Sequence, residues 1–351
     1  MKYLNILLIF ALVAIVGSFL GWSPTLLFIA SALAVIPAAG ILGQATEEIA
    51  LHTGPRLGGL LNATLGNAAE LMITLFAIQA GLLDLAKASI IGSILGNVLL
   101  VLGFSTLLGG AKNGIQRFDR RHAGHNATQL MMAVLALVIP SLFFFSNKEA
   151  QGPVEWLSLG TAFTMLLIYV LGLFFALRVL QAAEPGIENE IKAEHRGGWS
   201  LRRSVVLLLL ATGLIAWLSE ILVGAVEHTV AALGVSEFFI GIIVVPLVGN
   251  VAEHTVAVQT AWKNKMELSL AVSLGSSLQI ALFVAPLLVF ISLAMGHPLT
   301  LVFNQFEIIA LVGAAIIGNM VANDGESNWM EGAQLLTVYA ILSMAFLFLG
   351  A

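Results

Sequence analysis

Long apolar stretches alternate with short polar connections along almost the whole chain. Eleven stretches approach or exceed the roughly 20 apolar residues that one helix needs to cross a bilayer. They cover residues 4–20, 24–43, 57–81, 88–108, 127–145, 154–180, 204–223, 238–262, 268–293, 306–321 and 335–349. The pattern predicts an all-α polytopic membrane protein with eleven transmembrane helices.

Two of these stretches carry the same polar motif. Gly66-Asn67-Ala68-Ala69-Glu70 recurs 183 residues later as Gly249-Asn250-Val251-Ala252-Glu253, and the same offset brings Gly92-Ser93 onto Gly275-Ser276. An ionisable residue at membrane depth costs several kcal/mol, so a duplicated one indicates function. Hydrogen bonding between helices is the alternative, but the small residues already present suffice for packing.

The repeat divides the chain into an N-terminal helix (residues 1–21), a first five-helix repeat (22–183), a cytoplasmic linker (184–203) and a second five-helix repeat (204–351). Because five is odd, the two repeats enter the membrane in opposite directions. Inverted repeats are common in secondary transporters, whose substrate site lies near the midplane where the repeats meet. We therefore expect helix breaks at Gly66 and at Gly249, three residues after Pro246. Gly92 and Gly96 are expected to admit a neighbouring backbone.

Composition agrees with a membrane location. The chain is 59% hydrophobic and 10% charged, against about 25% charged in soluble domains. It has no cysteine, which excludes disulfides, thiolate metal sites and thiol catalysis. If the N-terminus and every second connection share one side, that side receives 13 of the 15 Lys and Arg residues. The positive-inside rule then predicts a cytoplasmic N-terminus and an external C-terminus.

Bringing the two motifs together would create a site made of oxygen donors. Carboxylates with amide and hydroxyl oxygens suit calcium better than magnesium, and the lack of thiols disfavours zinc and copper. His254 is expected to orient its neighbour by hydrogen bonding rather than to bind metal. The candidate ligands are Glu70, Glu253, Asn67, Asn250, Ser93, Ser276, Asn97 and Gln279.

The two glutamates also suggest a mechanism. Two carboxylates this close in a poorly solvated site should not both remain ionised without a cation. One divalent cation or about two protons would neutralise the pair, and this mutual exclusion is the chemical basis of an antiporter. Glu70 and Glu253 are therefore the proposed proton-coupling residues. Glu48 and Glu227 lie in polar segments beside apolar stretches and are candidate gates.

Three segments accompany the two repeated motifs: Gly92-Ser93-Ile94-Leu95-Gly96-Asn97, Gly275-Ser276-Ser277-Leu278-Gln279-Ile280 and Asn323-Asp324-Gly325-Glu326-Ser327-Asn328-Trp329. Together with the motifs, these segments resemble the signature regions of the calcium/proton exchanger (CAX) family, within the calcium/cation antiporter superfamily. The resemblance covers nearly the whole chain and implies an eleven-helix fold. It also implies calcium extrusion or sequestration driven by inward proton flow, with Glu70 and Glu253 alternately taking calcium and protons.

We accordingly expect a protein of a prokaryotic plasma (cytoplasmic) membrane that carries calcium and protons. We expect no cofactor, because calcium is the transported substrate, and no nucleic-acid partner. The sequence does not determine the oligomeric state, and a homo-oligomer is one of the states that it allows.

Three alternatives differ in what they require. A sodium-coupled calcium exchanger of the same superfamily usually has more hydroxyl and carboxylate ligands around the central pair than this chain offers. An intramembrane hydrolase would need a nucleophile-base or metal-base constellation. The chain contains no His-Glu-x-x-His or Gly-x-Ser-x-Gly motif. A channel would conduct without a proton gradient.

Overall fold

A computed structural model describes residues 4–53, 61, 64–147, 151–182 and 198–349, and within these ranges the chain is helical almost throughout. A 3-10 turn, Leu4–Leu8, leads into the first helix. The helices are α1 (Ile9–Leu20), α2 (Pro24–Thr53), α3 (Ala68–Gln79), α4 (Leu83–Asn113), α5 (Arg120–Ser146), α6 (Gln151–Ala182), α7 (Leu201–Gly224), α8 (Val226–Leu233), α9 (Glu237–Trp262), α10 (Met266–Ala294), α11 (Gln305–Asp324) and α12 (Trp329–Leu349).

Nine of the described helices, all except α1, α3 and α8, are long and apolar enough to cross a membrane. Helix α3 has 12 residues, which gives about 18 Å of helix against a hydrocarbon core of about 30 Å. Because the described residues are helical almost throughout, the all-α prediction is confirmed. The count of eleven spans remains a prediction, because much of the third predicted span before α3 lies outside the described residues. The linker residues 184–197 also lie outside them.

Three of the described helices contain a π-helical turn. The turns are Gly96–Val101 in α4, Ile240–Val244 in α9 and Ile280–Val284 in α10. Those of α4 and α10 occupy equivalent positions in the sequence repeat, within one helical turn after Gly92-Ser93 and Gly275-Ser276. Such turns often mark functional sites.

The two halves of the chain interleave. Helix α2 packs most extensively against α7, α5 packs against α11, and the C-terminal part of α4 packs against both α9 and α12. These contact surfaces each join a helix of the first half to one of the second. Side chains from both halves can therefore meet in the interior.

The glycines of α4 differ in their surroundings. A β-carbon on Gly92 would collide with the backbone carbonyl of Ile242 in α9, so this glycine does admit another backbone. Gly96 has no neighbouring atom within 4 Å of the place where its β-carbon would lie. The expectation of a close approach is thus confirmed for Gly92 and wrong for Gly96.

The predicted helix breaks are also half right. Gly66 and Asn67 form a turn, and α3 begins at Ala68. Helix α9 instead continues through Pro246, and Gly249 lies buried inside it. Pro246 falls just after the π turn, in the first turn of the following α-helical part. A π turn shifts the hydrogen-bond pattern, so the helix accommodates the missing N–H of proline.

On one face of the bundle, segments that are far apart in the sequence contact one another at the helix ends. Strand β1 (Gln116–Arg117) pairs antiparallel with strand β2 (Glu326–Ser327). Lys112, at the end of α4, donates to the carbonyl of Trp262 at the end of α9, 3.1 Å away. All of these segments belong to the side that the sequence predicts to be cytoplasmic.

The opposite face contains a cavity of about 410 Å³. Its lining includes Asp84, Phe144, Phe238, Asn304 and Leu349, which lie at the ends of five different helices. The sequence assigns all five to the external side.

Candidate functional site

The first motif lies at the start of α3. Asn67 directly precedes this helix, and Glu70 lies in its first turn. Both side chains are buried, with 2% and 3% of their surface exposed. The N-terminus of a helix carries a partial positive charge, so this position favours a carboxylate.

The second motif brings another carboxylate to the same place. Glu253 of α9 lies close enough to Glu70 for the two charges to interact. Asn250, one turn before Glu253 in the same helix, approaches the Glu70 carboxylate, and Ser276 of α10 approaches that of Glu253. The two glutamates of the sequence repeat thus meet across the interface between the halves.

A hydrogen-bond network surrounds this pair and also crosses between the halves. The Asn97 amide donates to the Ser276 hydroxyl at 3.0 Å, and that hydroxyl donates to Asn67 Oδ1 at 3.0 Å. The Asn67 amide donates to Gln279 Oε1 at 2.8 Å. All four residues are among those proposed from the sequence, and the network explains how they come together.

A related contact joins the repeat-equivalent residues. Asn250 Nδ2 lies 3.5 Å from the hydroxyl of Ser93 and donates to the carbonyl of Pro246 at 3.1 Å. Asn250 and Ser93 are the repeat equivalents of Asn67 and Ser276, so the site has approximate twofold symmetry. The structure brings all eight predicted ligand residues into one region.

Three buried oxygens in the site have no hydrogen-bond partner within the described part of the chain. They are Glu70 Oε1, Glu253 Oε2 and Asn250 Oδ1. Leaving a buried polar atom unpaired costs about 1–3 kcal/mol, and more for a charged group. Two carboxylates and an amide oxygen are the ligand types that a hard cation such as calcium prefers. The site is therefore suited to bind a cation or protons.

Gly249 has a role that the sequence did not reveal. A β-carbon on this residue would lie 2.8 Å from Glu70 Oε1 and 3.1 Å from its Cδ. The glycine thus makes room for the carboxylate of the other half rather than breaking α9. The signal available in the sequence was the repeated Gly-Asn pair, but its meaning depends on the packing of α3 against α9.

His254 lies beside the site in a different environment from the one expected. It lines a cavity of about 360 Å³ between α4 and α9, together with apolar residues such as Phe104 and Leu247. Its Nε2 is buried and has no hydrogen-bond partner among the described residues. An orienting bond from that nitrogen to Glu253 is therefore not present here.

The two candidate gates lie outside the network. Glu48, near the end of α2, accepts a hydrogen bond from the backbone N–H of Trp199 at 3.1 Å, and Gly198 packs against its carboxylate. Glu227 is exposed on α8. Glu48 thus ties α2 to the end of the linker that leads into α7, while Glu227 remains a candidate on sequence grounds alone.

The helical bundle and its buried oxygen site define an integral membrane protein with the fold of ion transporters. The sequence model of the sodium/calcium exchanger protein family matches residues 23–178 and 203–348, and the chain belongs to this family.

Named relatives match over almost their whole length. The chain is 40% identical over 358 residues to a Ca²⁺/H⁺ antiporter of Aphanothece halophytica, covering 97% of this chain and 95% of the relative. It is 40% identical over 338 residues to the Ca²⁺/H⁺ antiporter ChaA of Bacillus subtilis (strain 168), covering 96% of each. The crystal structure of the selenium-substituted Ca²⁺/H⁺ antiporter protein YfkE matches with a TM-score of 0.86 at 38% identity, over 99% of each chain. The resemblance inferred from the paired signatures is confirmed.

Proposed function

We propose that the protein is a secondary active transporter that exchanges calcium for protons across a membrane by alternating access. The observation that carries this proposal is the meeting of Glu70 and Glu253, from opposite halves, with unpartnered oxygens turned into one buried site. The Ca²⁺/H⁺ antiporters among the relatives support the choice of the two ions.

The hydrogen bonds divide the site residues into two roles. Glu70, Glu253 and Asn250 hold the oxygens without a partner among the described residues, so these three bind calcium directly. Asn67, Asn97 and Gln279 are engaged with one another or with Ser276, and they fix the positions of the ligands. Ser93 and Ser276 stand between the two groups and supply hydroxyl oxygens.

Proton exchange follows from charge balance. With calcium bound, the two carboxylates neutralise one divalent ion. Without calcium, about two protons take its place, because two close buried carboxylates do not both stay ionised. Each protonated carboxyl can donate a hydrogen bond, with Asn250 beside Glu70 and Ser276 beside Glu253 as the neighbouring acceptors. The site therefore holds either calcium or protons.

Alternating access follows from the position of the site between interleaved halves. A rearrangement of one half against the other opens such a site to one face at a time. The face with the β1–β2 pair carries Lys112, Arg117, Arg120 and Arg121, and we assign it to the cytoplasm by the positive-inside rule. The protein then resides in a prokaryotic cytoplasmic membrane with its C-terminus outside.

The test is radiolabelled calcium uptake into proteoliposomes under an imposed pH gradient. We expect the wild type to take up calcium only when the gradient is present, and Glu70→Gln and Glu253→Gln to abolish uptake. Glu267→Gln is the matched control, because Glu267 is exposed at the start of α10. Uptake that survives in both site variants would overturn the two-glutamate mechanism.

The second candidate is sodium-coupled exchange, which is favoured by the name of the family, sodium/calcium exchanger protein. The same proteoliposomes discriminate between the two when a sodium gradient replaces the pH gradient. Uptake driven by sodium alone would transfer the assignment to that class. Calcium flux in the absence of either gradient, along calcium's own concentration difference, would indicate a channel.

A further inference from the structure

Three side chains of the first half bind the last turn of α9. Gln116 Nε2 donates to the carbonyl of Ala261 at 2.8 Å. Asn113 Nδ2 lies 3.3 Å from the carbonyls of both Ala261 and Trp262, and Lys112 Nζ lies 3.1 Å from that of Trp262. We call Lys112, Asn113 and Gln116 the α9 clasp. It was not foreseen from the sequence, because its residues lie about 150 positions from the carbonyls that they bind.

The clasp satisfies groups that a helix leaves open. The last four carbonyls of an α-helix have no partner within the helix, and a positive charge near them is favourable. Lys112 supplies that charge, and its ammonium group also lies 4.6 Å from the ring centre of Trp262. These groups of the other half thus add to the hydrogen bonds that the following turn itself makes to the end of α9, such as that from the Asn264 N–H to the carbonyl of Ala261 at 2.9 Å.

The clasp also holds the turn that connects α9 to α10. Gln116 Nε2 donates a second hydrogen bond, at 3.0 Å, to Oδ1 of Asn264 in this connection. Asn264 has a φ of 61°, the one positive φ of a non-glycine residue in the described ranges. One buried amide therefore fixes the end of α9 and the turn into α10, the two helices that carry Glu253 and Ser276.

Gln116 itself is tightly held. Its side chain is 1% exposed, and it lies in β1 opposite Ser327 of β2. A β-carbon on Gly109 of α4 would collide with Gln116 Oε1 and lie 3.0 Å from the Ala261 carbonyl. The packing of α4 against α9 therefore depends on Gly109, and the amide has little freedom to move.

A rigid connection links the clasp to the site. Glu253 lies nine residues before Trp262 in the same uninterrupted helix, about 13.5 Å along its axis. On the first-half side, Lys112 and Asn113 end α4, and the same helix carries Ser93 and Asn97 of the site network. A shift of α9 at its clasped end would therefore change the depth or rotation of Glu253 relative to Glu70.

We propose that Gln116 is a positioning residue for the exchange reaction, which sets Glu253 of α9 against the first-half ligands through the carbonyl of Ala261. This inference rests on the proposed calcium/proton exchange. It predicts an effect on calcium affinity, whereas a purely structural clasp would affect only the amount of folded protein.

The test uses Gln116→Met, which keeps the length of the side chain and removes both donors. We expect the KM for calcium in proton-driven uptake to rise about fivefold, the equivalent of one net hydrogen bond, while the maximal rate changes less than twofold. Gly109→Ala should give the same rise, because it displaces the amide without removing it. Gln129→Met is the control, because Gln129 is exposed on α5.

A milder variant covers the case in which Gln116→Met and Gly109→Ala fail to fold. Lys112 is exposed, so Lys112→Met should fold and raise the KM by about twofold. An unchanged KM in every folded variant would overturn the inference, as would a fall in maximal rate without a change in KM. A wild-type protein without proton-driven uptake would instead overturn the proposed function.

Discussion

Gly249 of the second half lies directly against the Glu70 carboxylate of the first. A β-carbon on Gly249 would be 2.8 Å from Glu70 Oε1, closer than real β-carbons approach a neighbouring atom. The repeated Gly-Asn sequence thus does two things in the second half: the asparagine faces the site, and the glycine leaves space for the opposing glutamate.

We therefore expect Gly249→Ala to displace Glu70 and to reduce proton-driven calcium uptake at least about tenfold, the equivalent of about 1.4 kcal/mol. Gly275→Ala is the matched control. Gly275 belongs to the other repeated segment, and no neighbouring atom lies within 4 Å of its β-carbon position. Uptake kinetics at equal protein density check the prediction. Equal activity of both variants would show that Glu70 has room to move.

Gly92 and Gly96 of α4 give a prediction about stability. Gly92→Ala would place a methyl group against the Ile242 backbone, which cannot turn away as a side chain can. We expect a loss of about 1–3 kcal/mol, as for other overpacked sites. Gly96→Ala meets no atom within 4 Å and should be neutral. Thermal melting in detergent checks both. A Gly92→Ala protein as stable as the wild type would contradict the packing described here.

The hydrogen bond from Asn97 to Ser276 can be tested by a double-mutant cycle. We expect Asn97→Ala and Ser276→Ala each to raise the KM for calcium. The double variant should show less than the product of the two effects, with a coupling of about 0.5–3 kcal/mol for residues in one network. Asn97→Ala combined with Thr337→Ala, at an exposed residue of α12, is the control cycle. Full additivity in the first cycle would place Asn97 outside the network.

The sequence repeat predicts which polar side chains come together in the structure. An inverted repeat places equivalent positions around one axis, so an offset of 183 residues between two motifs also predicts which side chains meet in space. The contacts of Asn67 with Ser276 and of Asn250 with Ser93 follow this rule. Gln279 is one position out of register with Asn97, and its longer side chain still reaches Asn67.

Features that depend on packing were not predictable. Nothing in the sequence near Gly249 says that Glu70 lies against it, and nothing near Gln116 indicates the carbonyl of Ala261. The continuity of α9 through Pro246 depends on a π turn that has no clear sequence signal. By contrast, the capping box of α11, in which Asn304 and Glu307 bond each other's backbone N–H groups, could have been read from the Asn-x-x-Glu spacing.

Glu48 remains a candidate gate, and the structure shows which hydrogen bond its variants should keep or remove. Its carboxylate accepts the N–H of Trp199, so it joins α2 to the segment that leads into α7. Glu48→Gln keeps an acceptor oxygen and removes the charge, whereas Glu48→Ala removes the bond. A gating role predicts that both variants alter turnover and that equilibrium calcium binding stays nearly intact. Loss of calcium binding would count against gating.

The dependence on pH tests whether calcium and protons share one site. Lowering the pH on the side from which calcium enters raises the protonated fraction of Glu70 and Glu253, and a protonated carboxyl binds calcium poorly. We therefore expect the apparent KM for calcium to rise as this pH falls, while the rate at saturating calcium is retained. Glu267→Gln should behave as the wild type does, since its exposed carboxylate takes no part in the competition. A KM independent of pH, with only the maximal rate affected, would mean that the coupled protons bind elsewhere in the protein.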